Sequence, residues 1–332
     1  MSLTRTFLVS TAAALLMAVP ATRAQVAISQ EGDSVHIAID GQPFTDFVLR
    51  GGNAMKPYLH PLRSASGTLV TRKFPMEKVE GEPTDHPHQR GLWFAHERVN
   101  GFDFWNNEAD YKTPNRGRIE VTKVSDIQSG PDAGSFHADL EWKDPNGAKV
   151  LTETRTMTFR KTPTLRMIDV DLTLTPAAGD VTFGDAKDGA FGIRLAAALE
   201  EPGNAAKGVQ NQIPGTGKMV NAEGAAGEKA VWGKTSNWVD YAGEVDGQKV
   251  GIAIFDHPSN ARRARWHSRG YGLFAANPFG LSVFTKDKSQ DGSFTLKSGE
   301  SLRLKYRVII HPGDAEAAKI AGLWDEYLKD VK

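Results

Sequence analysis

Ile168-Asp169-Val170-Asp171-Leu172-Thr173-Leu174 decides the fold class. Apolar and polar residues alternate strictly, so one face of an extended segment is oily and the other is wet, which is the pattern of a half-buried antiparallel strand. Leu302, Leu304, Tyr306, Val308 and Ile310 repeat it after Ser298-Gly299-Glu300, and Val35, Ile37 and Ile39 do so before the Asp40-Gly41 turn. Lys249 to Phe255 is more continuously apolar and reads as a central strand. The 33 glycines and 17 prolines break the chain into short runs of the kind that many strands and turns require. Only one helix is expected. Asp314 caps it, and Ile320, Leu323, Trp324, Tyr327 and Leu328 form its apolar stripe. Glu201 to Gly227, rich in Gly, Ala, Asn and Gln, reads as a long surface excursion. The pattern predicts an all-β protein, a large antiparallel β-sandwich with a C-terminal α-helix, with residues 25–332 as one domain.

Residues 1–24 read as a signal peptide. Arg5 precedes an apolar run from Phe7 to Pro20, and Thr22-Arg23-Ala24 resembles a cleavage site before Gln25. That run is shorter than the roughly 20 residues a membrane-spanning helix needs, and no later segment is long and apolar enough. A periplasmic or secreted chain with no membrane span after cleavage is expected. The chain has no cysteine, which removes thiol catalysis, iron–sulfur clusters and cysteine-type zinc sites, and leaves stability to a large core. Forty basic side chains balance forty acidic ones, so no nucleic-acid-binding face is implied. The balance does not fix an oligomeric state.

Chemistry concentrates in two places. Four of the nine histidines fall between residues 60 and 96, and two of them lie in Asp85-His86-Pro87-His88-Gln89-Arg90-Gly91-Leu92-Trp93. One residue apart in an extended segment, His86 and His88 share a face. They can act as acid and base, donate hydrogen bonds, or bind a divalent metal with a third ligand such as Asp85, His60, His96 or His257. Arg90 offers a rigid fork for a carboxylate or paired hydroxyls, or an internal salt bridge. Trp93 and Trp105 are core residues or a stacking platform. The second place runs from Asp256 to Gly280, with His257, Asn260, His267, Tyr271 and Asn277, and the loop Gly184-Asp185-Ala186-Lys187-Asp188-Gly189 leads to Arg194. Donors set among aromatics suit a polyhydroxylated ligand, whose ring faces stack and whose hydroxyls need partners. No P-loop, dinucleotide glycine fingerprint, G-x-S-x-G or H-E-x-x-H occurs in its required context.

Together, Asp85–Trp93, Asn100-Gly-Phe-Asp-Phe-Trp105, Gly251-Ile-Ala-Ile-Phe-Asp-His-Pro-Ser-Asn260 and Tyr271-Gly-Leu-Phe-Ala-Ala-Asn-Pro-Phe-Gly280 resemble the PmoA-like family, whose members often carry the label methane oxygenase. The resemblance spans nearly the whole chain after residue 24. Gln89 stands where that family often has a histidine, which weakens any scheme needing three consecutive imidazoles. The resemblance implies exported or carbohydrate-catabolic bacterial proteins, and the strand pattern is similar to the supersandwich of galactose mutarotase-like proteins.

The expectation that follows is a carbohydrate-active protein. His86, His88, Arg90, Asp185, Arg194, Asp256 and His257 would do its chemistry, while His60, Trp93, His96, Asn260, His267, Tyr271 and Asn277 would line a small-carbohydrate site. Epimerase, lyase and hydrolase chemistry all stay open, with a glycan-binding module or a metal-dependent oxidoreductase as rivals. The cofactor is unknown; a divalent metal on His86 and His88 is the possibility carried forward.

Overall fold

The computed structural model describes residues 25–330, so the expected signal peptide lies outside the described residues. Two eight-stranded sheets form the body, and all strand pairs within them are antiparallel. Edge to edge, the first sheet runs Val26–Glu31, Ser34–Ile39, Gln42–Val48, Tyr58–His60, Leu92–His96, Gly189–Arg194, Leu273–Asn277 and Arg265–Ser268. The second runs Lys218–Asn221, Trp238–Val245, Gln248–Asp256, Leu302–Pro312, Arg166–Pro176, Lys149–Lys161, Ala133–Lys143 and Arg118–Gln128. A small pair, Val181–Phe183 with Phe294–Leu296, stands beside them.

The alternation seen in the sequence is the alternation of burial. Ile168, Val170, Leu172 and Leu174 are buried, while the residues between them are half-buried. Each such side chain contributes roughly 1.5–3 kcal/mol by leaving water. Rings from the two sheets meet in the middle: Phe191 stacks on Tyr306 with centroids 4.5 Å apart, and Phe47 meets Phe136 at 5.4 Å. These contacts fix which face is which. On the strand Gly189–Arg194, Phe191 and Ile193 point between the sheets, so Ala190, Gly192 and Arg194 belong to the outer face.

The C-terminal helix Ile320–Asp330 lies on the outer face of the second sheet, where Trp324 and Tyr327 pack against Phe255. Asp314 Oδ1 accepts from Ala317 N and so caps the turn that precedes the helix. The sequence reading differs from the structure in its short elements: besides the one expected helix there are brief helices at Glu228–Val231 and Leu281–Thr285 and a 3-10 turn at Ala197–Leu199. Within the expected excursion 201–227, Lys218–Asn221 pairs with Trp238–Val245 and closes the edge of the second sheet. Its four residues are too few to show a period against Gly-rich flanks.

Candidate functional site

The segment Asp85–Trp93 rides over one end of the first sheet and enters the strand Leu92–His96. Gly91 makes that entry possible. Its φ is +49°, and a Cβ there would lie 1.9 Å from the Leu59 carbonyl oxygen. Upstream, Gln89 N donates to the His86 carbonyl at 3.0 Å and closes a turn in which His86 itself holds φ +45°. Non-glycine residues take this left-handed region rarely, and it recurs where a side chain must be aimed.

The His86 side chain is about two-fifths exposed, and its Nδ1 meets an Asp85 carboxylate oxygen at short hydrogen-bonding range. Its ring stacks flat on Tyr271, with centroids 5.4 Å apart and planes 6° from parallel. Behind the pair sit two fully buried guanidiniums. Arg72 donates to Asp85 Oδ1 at 2.8 Å and to the His86 carbonyl at 2.9 Å. Arg194 donates to Gln89 Oε1 at 2.7 Å and to Asp85 Oδ1 at 3.3 Å, with its guanidinium 4.7 Å from the Tyr271 ring centre. Burial pushes the Asp85 carboxyl up, but the hydrogen bond with His86 and the charges of Arg194 and Arg72 outweigh it and hold the group well below the usual carboxylate range. Asp85 is therefore an anion that accepts from Nδ1–H of His86, leaving Nε2 for a ligand.

His88 is buried beside this pair, its ring 5.6 Å from that of His86. Its Nδ1 pairs with the Tyr111 hydroxyl at 3.1 Å, while Nε2 is buried without a partner among the described residues. Burial, followed by the charges of Lys56 and His86, lowers its pKa to about 2. Arg90 is not aimed at a ligand. Nε donates to Glu108 Oε1 at 3.0 Å and Nη2 to Oε2, which completes a buried two-pronged pair. Of the two roles the sequence allows Arg90, a ligand fork or an internal salt bridge, the structure has the salt bridge, with Glu108 as partner.

Register extends the site across the sheet. Trp93 lies opposite Gly192, Gly192 opposite Ala275, and Ala275 opposite His267, so all four share the outer face. The Trp93 and Trp105 rings lean together over Gly192, with centroids 4.9 Å apart. A Cβ on Gly192 would come within 2.8 Å of Trp105 and 3.2 Å of Trp93. His267 flanks the far side, its Nδ1 3.6 Å from an Asp188 oxygen, beyond hydrogen-bond reach. The Trp93 and Trp105 indole nitrogens, both His267 ring nitrogens, His88 Nε2 and Arg194 Nε are all buried without a hydrogen-bond partner among the described residues. Buried polar atoms are normally satisfied, so such a concentration calls for water or a ligand.

The fold scatters the other expected residues. His96, Asp185 and Asn277 tie down the loop 184–188: His96 Nε2 donates to the Gly184 carbonyl at 2.8 Å, and Asn277 Nδ2 to the Ala186 carbonyl at 2.9 Å. Asp185 Oδ2 accepts from Ser282 N at 3.0 Å and Gly292 N at 2.8 Å. His60 Nδ1 lies 3.4 Å from the Thr71 hydroxyl. Asp256, His257 and Asn260 belong to the second sheet and its following turn, which corrects the expectation that they meet His86 and His88. Asp256 accepts from Asn260 Nδ2 at 2.8 Å, Ala264 N at 2.9 Å and Arg263 Nε at 3.2 Å, and the His257 ring meets Tyr327 of the C-terminal helix at 5.3 Å. These contacts shape a turn. Conversely, Arg72, Tyr111 and Glu200 join the site without any local signal: Arg72 and Tyr111 act through Asp85 and His88, more than ten positions away, and Glu200 lies 3.7 Å from Arg194.

Among the described residues, no three His, Cys, Asp or Glu side chains gather closely enough to hold a metal ion. Nδ1 of each histidine is also engaged, by Asp85 and by Tyr111. The residues present do not fit the divalent metal carried forward from the sequence. Burial comes first in lowering His96 and His267 to about 4 as well. The imidazoles of His88, His96 and His267 are therefore expected to stay neutral at pH 5, against about 6.5 for a free imidazole. Carbon-13 or nitrogen-15 ring shifts would show this, and imidazolium shifts at that pH would refute the packing described.

The model of a family of unknown function, DUF6807, matches residues 34–325. The chain belongs to that family. No curated protein matches it. Solved structures give weak likenesses. The GH36 alpha-galactosidase AgaA from Geobacillus stearothermophilus is 11% identical over 87% of this chain and 41% of its own, with a TM-score of 0.40. This chain thus spans about two-fifths of that enzyme. A galactose mutarotase-like protein from Lactobacillus casei is 10% identical over 86% of this chain and 100% of its own, at 0.37. A GalM/aldose epimerase homologue from C. elegans is 8% identical over 87% and 98%, at 0.34. Likeness of this size transfers neither a site nor an activity. Among the described residues, no helix is long and apolar enough to cross a membrane.

Proposed function

We propose that this chain is an exported carbohydrate-active enzyme that moves a proton on a sugar, with His86 as its acid–base group. One observation carries the reading: a carboxylate-anchored imidazole, open to solvent, sits at the edge of a sheet face where indole, imidazole and guanidinium nitrogens are buried without partners among the described residues. A hydroxyl-rich ring supplies many donors and acceptors in a small volume, and the open Nε2 of His86 can take or return one proton. Asp85 holds the tautomer, Tyr271 holds the ring plane, and Arg72 and Arg194 hold Asp85 as an anion. The arginines are positioning residues, since both are buried and act through Asp85. Epimerase, lyase and hydrolase outcomes all begin with such a transfer. The PmoA-like resemblance is part of this reading as well: of its four strings, Asp85–Trp93, Asn100–Trp105 and Tyr271–Gly280 supply residues to the site, while Gly251–Asn260 lies on the second sheet; its oxygenase label lacks a ligand set among the described residues.

His86→Asn is the informative variant. Asparagine tolerates the left-handed conformation, so the melting temperature should stay within about 2 °C while turnover falls at least a hundredfold, in keeping with the usual size of acid–base contributions. The assay follows anomeric proton signals by NMR over mono- and disaccharides, including keto and uronic derivatives. Conversion by the native chain that survives in the variant would remove His86 from the chemistry. Line-broadening without conversion would make the protein a glycan-binding module. Export is tested by fractionating cells that express residues 1–332.

A further inference from the structure

A groove of about 850 Å³ lies on the outer face of the second sheet, between the strand Trp238–Val245, the turn after Pro312 and the first residues of the C-terminal helix. It is on the opposite sheet from His86. Tyr241 reaches toward the first sheet, where its hydroxyl donates to the Gly270 carbonyl at 3.1 Å, so Trp238, Asp240, Ala242 and Glu244 face outward, and all four line the groove.

Asp240 is the unusual member. It is 1% exposed, its Oδ2 lies 2.6 Å from His311 Nε2, and its Oδ1 is buried without a partner among the described residues. His311 Nδ1 lies 3.2 Å from the Pro312 carbonyl, which can only accept, so Nδ1 carries a hydrogen. One proton is then shared between Nε2 and Oδ2, whichever atom holds it, and the pair carries no net charge. Burial pushes the Asp240 carboxyl up, which agrees with a shared proton. Around the rim, Lys218, Lys249 and Lys319 balance Glu244, Asp314 and Glu316. The walls supplied by Trp238, Val220, Ala222 and Ala315 are apolar.

We propose that this groove is a second ligand site, which takes a neutral hydroxylated ring, a saccharide by chemistry, with one hydroxyl donating to Asp240 Oδ1. A net-neutral buried acceptor suits a hydroxyl better than an ammonium, whose charge it leaves uncompensated. The apolar wall matches the C–H face of a sugar ring, and the balanced rim excludes neither sign of long-range field. The site does not depend on the acid–base reading of His86.

The test is amide chemical-shift mapping of the full mature chain with glucose, galactose, maltose and lactose. Shifts are expected at Ala222, Ala242, Gly243, Gly313 and Gly322, and they should persist in His86→Asn. A Cβ on Gly322 meets none of the described residues within 4 Å, so Gly322→Phe can fill the groove without disturbing the fold. It should weaken the groove response at least tenfold. Asp240→Asn keeps an acceptor oxygen when its amide donates to His311, so it should stay within about threefold, whereas Asp240→Leu should lose tenfold or more. Absence of groove shifts with all four sugars, or binding that Gly322→Phe leaves unchanged, overturns the proposal. Loss of binding in Asp240→Asn, or displacement of the sugars by an alkylammonium probe, overturns the neutral-ligand assignment.

Discussion

Glu108→Ala is expected to destabilise the protein by roughly 3–5 kcal/mol, the range found when one partner of a buried ion pair is removed. Glu108 is 2% exposed and grips Arg90, which is 7% exposed, through both carboxylate oxygens. It also supplies the largest favourable charge at Lys56, which is buried and donates to the Trp105 carbonyl at 2.8 Å and to Asn107 Oδ1 at 2.5 Å. Without Glu108, buried Arg90 loses its carboxylate partner and Lys56 loses the largest charge that favours its ammonium form. The whole domain is stable by only about 5–15 kcal/mol, so this is a large fraction. A fall in melting temperature on the order of 10 °C is expected by calorimetry. A fall of less than about 2 °C would show that the pair is solvated in a way the packing does not allow. The pH dependence gives a second reading. Burial lowers Lys56 to about 7, against about 10.5 unfolded. Between those values the unfolded chain binds more protons, so stability rises as pH rises through this window. In Glu108→Ala the lower end of the window should move further down, because the anion that favoured the charged amine is gone.

Asp85→Asn is the second large effect, expected to cost about 2–4 kcal/mol, with turnover falling in parallel. The lower figure reflects the two-fifths exposure of Asp85, where water screens part of the interaction. Burial first, and then the charge of Arg194, lower Arg72 to about 9, while Asp85 and Glu82 offset them. Removing the Asp85 charge leaves those guanidiniums opposed, offset among the described residues only by Glu82 at Arg72 and by Glu200, 3.7 Å from Arg194. Replacing one guanidinium as well, as Asp85→Asn with Arg194→Gln, should recover part of the loss, and a double-mutant cycle reads that coupling. Strict additivity would mean that the two arginines do not oppose each other through this carboxylate. Native Asp85 is held below its unfolded range. Its contribution is therefore full above about pH 4 and lost as pH falls through the folded value, a trend the variant should lack.

Much of the fold was legible in local patterns. Ile168 to Leu174 and Leu302 to Ile310 are adjacent strands whose alternation survives intact, because a sheet with one wet and one buried face imposes period two on every residue. The C-terminal helix was legible for the same reason at period 3.6. Lys218–Asn221 was not, since a four-residue edge strand has no room to display a period.

The site divides along the same line. The string Asp85–Trp93 marked itself by its composition, and the carboxylate next to His86 is a neighbour in sequence. Its other supports are not. Arg72, Tyr111, Arg194 and Tyr271 reach His86 and His88 from separate strands and loops, brought there by sheet order. Asp256-His257-Pro258-Ser259-Asn260 looked equally chemical, yet its strand was dealt to the other sheet, and its polar atoms are consumed in a turn. Sequence by itself determined which residues alternate, where the helix lies and which segments are rich in titratable groups, because these depend on neighbours a few positions apart. Only the tertiary structure decided which rich segment became an open, incompletely satisfied surface, because pairing across strands is set by the packing of whole sheets.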